Sequence, residues 1–100
     1  MKLVYVSHPF TGNEAENLQD ARAMCSDLKE EHKEWSLINP LDNFMWTQNI
    51  KLSYGEILAM CLEILKACDS IYLCHGWERS IGCREEKKLA EEMGMEILYE

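Results

Sequence analysis

The feature that most constrains the fold is a regular alternation of short apolar segments with longer amphipathic ones. Residues 2–6, 35–38, 70–74 and 95–99 have strand patterns, and residues 14–33, 54–67 and 81–93 between them have apolar side chains at helical spacing. Strands that alternate with helices fold through right-handed crossovers onto one parallel sheet. The sequence therefore predicts an α/β fold, a small doubly wound, flavodoxin- or Rossmann-like three-layer sandwich with a parallel sheet of four or five strands.

The helix starts carry their own signals. Asn13 with Glu16 and Ser53 with Glu56 have the spacing of capping boxes, and Ser80 stands where an N-cap is expected. Residues 41–52 are polar and aromatic without a clear period, so they are predicted to form a loop.

Length and charge exclude several classes of protein. One hundred residues suffice for one core, so residues 1–100 are predicted to be a single domain. The net charge of −8 argues against binding to a nucleic acid polymer or an anionic membrane through the overall field. No signal peptide or membrane span is recognised, and the five cysteines form no CxxC pair, which predicts a cytoplasmic protein with reduced thiols. No metal or cofactor is expected, because dinucleotide, Walker and histidine-pair motifs are missing.

The ligand crevice of such a sheet lies at the carboxyl ends of the strands, where the strand order reverses. The loop of residues 7–13 and the loop of residues 75–82 are predicted to meet there. Ser80 can cap a helix and donate to a phosphate, Gly82 lets a ligand approach the backbone, and Arg79 or Arg84 can neutralise charge. A capped surface helix with no ligand explains the same residues about equally well.

Glu86 is the most informative acid of the chain. It shares a helical face with Gly82, Leu89 and Ala90, the face that must turn towards the sheet. A carboxylate that is partly desolvated at a crevice can act as a nucleophile or proton donor, although a Glu that reaches solvent or pairs with Arg84 is the alternative.

Other candidates lie on the same two loops. His8 and His75 can contact a ligand there, and Tyr5 and Trp77 can stack on a nucleobase or merely pack. Cys83 at a helix start has no evident partner to activate it as a nucleophile.

These residues together resemble the nucleoside 2-deoxyribosyltransferase-like superfamily, and most of all its small phage and bacterial branch. The resemblance spans nearly the whole chain in the right order. It rests on Asn17, on Cys68-Asp69, and on two longer motifs, Tyr5-Val6-Ser7-His8-Pro9-Phe10-Thr11-Gly12 and Gly76-Trp77-Glu78-Arg79-Ser80-Ile81-Gly82-Cys83-Arg84-Glu85-Glu86.

The resemblance implies a reaction and a set of site residues. Glu86 would attack the anomeric carbon of a nucleoside or nucleotide, the base would leave, and water or a second base would resolve the glycosyl-enzyme. Ser80 and Gly82 would contact phosphate or sugar. The loop of Ser7, His8, Pro9, Phe10 and Gly12 would line the sugar and base pocket, with Asn17, Tyr5, Trp77 and Arg79 as further substrate-binding residues.

One position departs from the family pattern. Active members carry an Asp eight residues before the Asp that opens the third strand, and here that position is Cys61. Either another group such as Tyr54 or Glu56 donates the proton, or the protein binds and sequesters a nucleotide signal without turning it over. The resemblance also implies self-association, as a homodimer or a higher homo-oligomer, because family members often complete the pocket from a partner chain.

Overall fold

The elements of the protein follow the predicted alternation. The computed structural model describes residues 1–100. It contains strands β1 (Lys2–Ser7), β2 (Trp35–Ile38), β3 (Ser70–Leu73) and β4 (Glu96–Tyr99) and helices α1 (Glu14–Glu31), α2 (Pro40–Asn43), α3 (Tyr54–Lys66) and α4 (Ile81–Glu92). Single 3₁₀ turns lie at Met45–Asn49 and Trp77–Arg79.

The four strands form one sheet in which every neighbouring pair is parallel, in the order β2-β1-β3-β4. The chain moves from β1 to β2 in one direction and then crosses back to β3 on the other side of β1. The reversal therefore lies between β1 and β3, which puts the loops after these two strands side by side at the carboxyl edge. The predicted α/β class and parallel sheet are confirmed, with four strands.

The two faces of the sheet carry separate apolar clusters, because successive side chains of a strand point to opposite sides. On one face Tyr5 and Ile71 pack with Leu65 of α3 and Ala90 of α4. On the other face Val4 and Val6 pack with Leu28 of α1. Helices thus cover both faces, as a three-layer sandwich requires.

Two of the three predicted caps form. The Ser53 hydroxyl accepts from the Glu56 N–H at 3.1 Å, and the Ser80 hydroxyl accepts from the Cys83 N–H at 3.2 Å. The Asn13 side chain makes no cap hydrogen bond.

The loop prediction for residues 41–52 was wrong over most of its length. Pro40 begins α2 with the fixed φ that suits a first helical position, and the 3₁₀ turn follows directly. Each of these helical segments is too short to display a helical period in the sequence, so periodicity could not reveal them.

Two further features concern the chain as a whole. Not one of its helices combines the length and the apolar character that crossing a membrane demands. All five cysteines are free thiols.

Candidate active site

Two adjoining cavities occupy the carboxyl edge of the sheet. The smaller one, here the inner chamber, has a volume of about 330 Å³ and includes Glu86 in its wall. The larger one, here the outer chamber, has a volume of about 960 Å³. Five residues line both chambers and so form the boundary between them: His8, Phe10, Thr11, Tyr54 and Ser80.

The inner chamber is walled by apolar side chains apart from a few polar groups. One part of its wall is formed by α2 and the 3₁₀ turn that follows, through Leu41, Phe44 and Met45, and α3 adds Ile57 and Leu58. A mostly apolar pocket with a small number of polar groups is typical of sites for small organic molecules.

The outer chamber is more polar. Helix α1 contributes Asn17, Asp20 and Asp27, and the β3–α4 loop contributes His75 and Arg79. The lining of this chamber therefore includes both carboxylates and the guanidinium of Arg79.

Glu86 is the buried acid of the site, with only 6% of its surface exposed. The Ser7 hydroxyl donates to its Oε1 at 2.7 Å, and the Tyr5 hydroxyl donates to its Oε2. Both donors come from β1, where they stand two residues apart and so point to the same face of the sheet. Two hydroxyl donors on two oxygens fix the plane of the carboxylate.

Burial dominates the protonation behaviour of this cluster. It raises the pKa of Glu86 above its ordinary value, and the hydrogen bonds from Tyr5 and Ser7 offset part of that rise. Burial, with the nearby Glu86, also raises the pKa of Tyr5 well above 10.0. Tyr5 is therefore a fixed donor, and Glu86 is a carboxylate with increased basicity.

Gly82 and Tyr54 are in close approach at the start of α4. A Cβ atom on Gly82 would stand 2.6 Å from the Tyr54 hydroxyl oxygen, so this hydroxyl occupies the space that a side chain would fill. Burial raises the pKa of Tyr54, and Glu86 adds to the rise. Tyr54 is thus a neutral side chain next to the first turn of α4.

Most residues singled out from the sequence come together here. Gly82 lines the inner chamber with Glu86, Ser80 and the loop residues His8 and Phe10 line both chambers, and Pro9, Asn17 and Arg79 line the outer one. The Asn17 amide donates to the Phe10 carbonyl at 2.9 Å and so holds the loop in place.

Other sequence-predicted residues lie elsewhere. Tyr5 and Ser7 are fully buried and line neither chamber, and their hydroxyls donate to Glu86, which lines the inner one. Trp77 packs against the core and against Tyr99, with ring centroids 5.9 Å apart, and lines neither chamber.

Two further residues singled out from the sequence, Gly12 on the first loop and Arg84 on α4, lie outside the chambers. The Gly12 N–H donates to the Glu14 carboxylate at 2.8 Å, and Arg84 is exposed with its guanidinium near the Glu78 carbonyl.

Cys61 of α3 lines the inner chamber with Glu86. It occupies the position where active members of the superfamily that the sequence resembles carry an acid. Burial raises the pKa of its thiol to about 11. Glu56, the other acid considered from the sequence, is exposed and lines neither chamber. No cluster of three or more metal-ligating side chains is present.

The wall formed by Leu41, Phe44 and Met45 was not found from the sequence. A weak signal was available, since apolar side chains recur in residues 41–46, shortly after β2 ends at Ile38.

The burial of Glu86 leads to a prediction about the stability of the protein. Because the pKa of Glu86 is raised in the folded protein, the folded state binds this proton more tightly than the unfolded chain, and stability falls as pH rises between the unfolded and folded pKa values. Glu86→Gln is expected to increase stability at pH 7 by about 0.5–2 kcal/mol. The gain over wild type should shrink as the pH is lowered to the unfolded pKa. Thermal unfolding of the wild-type and Glu86→Gln proteins from pH 4 to 8 measures the difference in stability. A difference that does not change with pH would contradict the protonation of Glu86 as its cause.

Comparison with known proteins adds two findings. A family model described as a domain of unknown function, DUF4406, matches residues 2–99. A solved structure of a 2-deoxyribosyltransferase from Leishmania mexicana is similar, with a TM-score of 0.70 and 19% sequence identity. The similarity covers 99% of this chain but 63% of that one, so the chain spans less than two thirds of that protein's length. The search of the curated proteins found no match. The predicted nucleoside 2-deoxyribosyltransferase-like fold is confirmed.

Proposed function

The chain belongs to the DUF4406 family, and from the geometry of its buried carboxylate we propose that it breaks the N-glycosidic bond of a nucleoside or nucleotide with Glu86 as the nucleophile. The observation that carries the proposal is a carboxylate 6% exposed, fixed by two hydroxyl donors, in the wall of an apolar chamber. The similarity in fold to a 2-deoxyribosyltransferase supports the same substrate class.

The reaction proceeds by retaining glycosyl transfer. One Glu86 oxygen forms a bond to the anomeric carbon as the carbon–nitrogen bond to the base breaks, and the bonding pair leaves with the base. The apolar wall around Phe44 accommodates the base. Water or a second base then attacks the same carbon and frees the carboxylate, which makes the protein a hydrolase or a deoxyribosyltransferase.

The arrangement of Tyr5 and Ser7 suits the nucleophile. Their hydrogen bonds hold both oxygens of Glu86 without a positive charge nearby to quench its nucleophilicity, and burial raises its basicity. The carboxylate is oriented before the substrate arrives, so little reorganisation accompanies the attack.

Trapping the intermediate tests the proposal. The protein is incubated with pooled nucleosides and nucleotides, and mass spectrometry records free base and retained ligand. Nucleosides with 2-deoxy-2-fluoro sugars, which slow the second step, should leave the glycosyl mass on the peptide that contains Glu86. Turnover with label on another residue would refute this assignment of the nucleophile.

A second candidate function rests on Cys61. Because a thiol with a pKa of about 11 lines the inner chamber where active members of the resembled superfamily carry an acid, the protein would be a binding or sequestering protein for a nucleotide signal. The same incubation separates the two candidates, since this one requires the ligand to be recovered intact with no free base.

A prediction for the phosphate follows from the outer chamber. Arg79 lines it beside Ser80, whereas Arg84 does not. Arg79→Ala is expected to weaken the affinity for a nucleoside 5′-monophosphate by about tenfold, or ~1.4 kcal/mol, because one charge-assisted contact is lost. The affinity for the unphosphorylated nucleoside should stay the same. Calorimetric titration measures both, with Arg84→Ala as the matched control, and an equal loss for the two ligands would argue against a phosphate contact.

A further inference from the structure

His8 is the imidazole shared by the two chambers. It is half-buried and lines both the inner chamber, with Glu86, and the outer one. The other histidines are placed differently. His75 lines only the outer chamber, and His32 stacks on Trp35 with ring centroids 3.8 Å apart.

A neighbouring carbonyl determines which nitrogen of His8 is free. The Nδ1 atom lies 2.7 Å from the Pro9 carbonyl oxygen, and a carbonyl can only accept, so Nδ1 carries a proton. Nε2 is then the nitrogen left to exchange a proton with a ligand. A backbone bond that fixes one nitrogen and frees the other is a common arrangement for a histidine that transfers protons.

The other titratable groups of the inner chamber suit proton transfer less well. The pKa values of Tyr54 and Cys61 are raised by desolvation and by the nearby Glu86, so both hold their protons tightly. A group that stays protonated cannot take a proton from water. Glu14 accepts from the Gly12 N–H, which lowers its pKa and keeps it ionised. Histidine is the side chain that most often serves as acid and base in turn.

The two chambers that His8 lines also contain charged and titratable side chains of both signs. In the inner chamber they are Glu86, Tyr54, Cys61, Cys83 and Glu14. In the outer chamber they are Tyr54, Arg79, His75, Asp20, Asp27 and Glu100.

Resting on the function proposed above, we propose that His8 gives a proton to the leaving base and then takes one from the attacking water. As Glu86 bonds to the anomeric carbon, the pair of the breaking carbon–nitrogen bond passes to the base, and the Nε2 proton of the imidazolium transfers to that base. The base leaves neutral, and the imidazole is neutral as well. A water then bonds to the same carbon and loses its proton to Nε2. The carbon–oxygen bond to Glu86 breaks with its pair returning to the carboxylate, which restores both groups.

Two substrates with different leaving groups test this role. A natural nucleoside needs a proton on its leaving base, whereas the 4-nitrophenyl glycoside of the same sugar releases a phenolate that needs none. His8→Gln is expected to slow base release from the nucleoside by about 100-fold or more, the usual contribution of a general acid. The release of nitrophenolate, measured under conditions in which formation of the glycosyl-enzyme limits the rate, should change only a few-fold.

The controls separate this role from the proposed function. His75→Gln removes an imidazole from the outer chamber only and should change both rates by the same factor. Added imidazole should restore base release by His8→Ala, which provides a readout independent of the artificial substrate. If His8→Gln slows both substrates equally and imidazole fails to rescue, the role is overturned while the proposed function stands. If the wild-type protein releases neither leaving group, both fall.

Discussion

Glu86→Gln is expected to lower the rate of base release by about 10³-fold or more, because an amide cannot form the glycosyl ester with the anomeric carbon. Glutamine has nearly the same shape, and its side chain can still bond to the hydroxyls of Tyr5 and Ser7. The variant should therefore fold and retain its ligand. The measurement is the release of free base over time, together with the mass of the ligand that remains bound.

Glu85→Gln is the matched control for this experiment. Glu85 is the neighbouring acid on α4, is exposed, and lines neither chamber, so its removal changes the net charge by the same amount without touching the site. It should release base at the wild-type rate. If the Glu86→Gln protein releases base as fast as the Glu85→Gln protein, Glu86 is not the nucleophile.

The inward position of Glu86 was predictable because a helix has a strict period. Gly82, Glu86 and Ala90 recur every four residues on α4, and the sheet must be covered by an apolar face. The structure confirms the geometry, with Ala90 fully buried and Glu86 nearly so, while Glu85 on the other side is exposed. An acid on a buried face stands out in a sequence because burial of an unpaired charge is costly.

The partners of Glu86 were harder to predict because they lie about 80 residues away in the chain. Period-two alternation puts Tyr5 and Ser7 on one face of β1, but it cannot say which helix covers that face. The order β2-β1-β3-β4 decides this, because it brings α3 and α4 onto the same side of β1. The sequence therefore left Tyr5 either to stack on a base or merely to pack, whereas its hydroxyl donates to Glu86.

The apolar wall of the inner chamber was missed for a different reason. Its residues on α2 and on the following 3₁₀ turn occupy two short helical segments, whose stability comes from packing and not from intrinsic propensity. Arg22 of α1 holds α2 in place, through two contacts of its guanidinium Nε to Asp42 at 3.0 Å. Such tertiary contacts have no local signature in a sequence.

Tyr5→Phe is expected to lower the rate of base release at pH 7 by about 10- to 100-fold. The substitution removes one donor from a buried carboxylate, and a hydrogen bond to a charged group contributes about 1.5–3 kcal/mol. Because that hydrogen bond offsets part of the rise caused by burial, its loss raises the pKa of Glu86 further. The carboxylate is ionised only above its pKa, so the acid limb of the pH–rate profile should move to higher pH.

The pH–rate profile distinguishes this effect from damage to the fold. Tyr72→Phe is the matched control, because Tyr72 stands on β3 and packs against the opposite face of the sheet from Glu86. Tyr72→Phe should change neither the rate of base release nor the pH of the acid limb. If Tyr5→Phe lowers the rate equally at every pH, the hydroxyl orients the carboxylate without tuning its basicity. If it changes neither the rate nor the position of the acid limb, the hydrogen bond from Tyr5 to Glu86 plays no part in the chemistry. The hydrogen bond from Ser7 is then enough to orient the nucleophile.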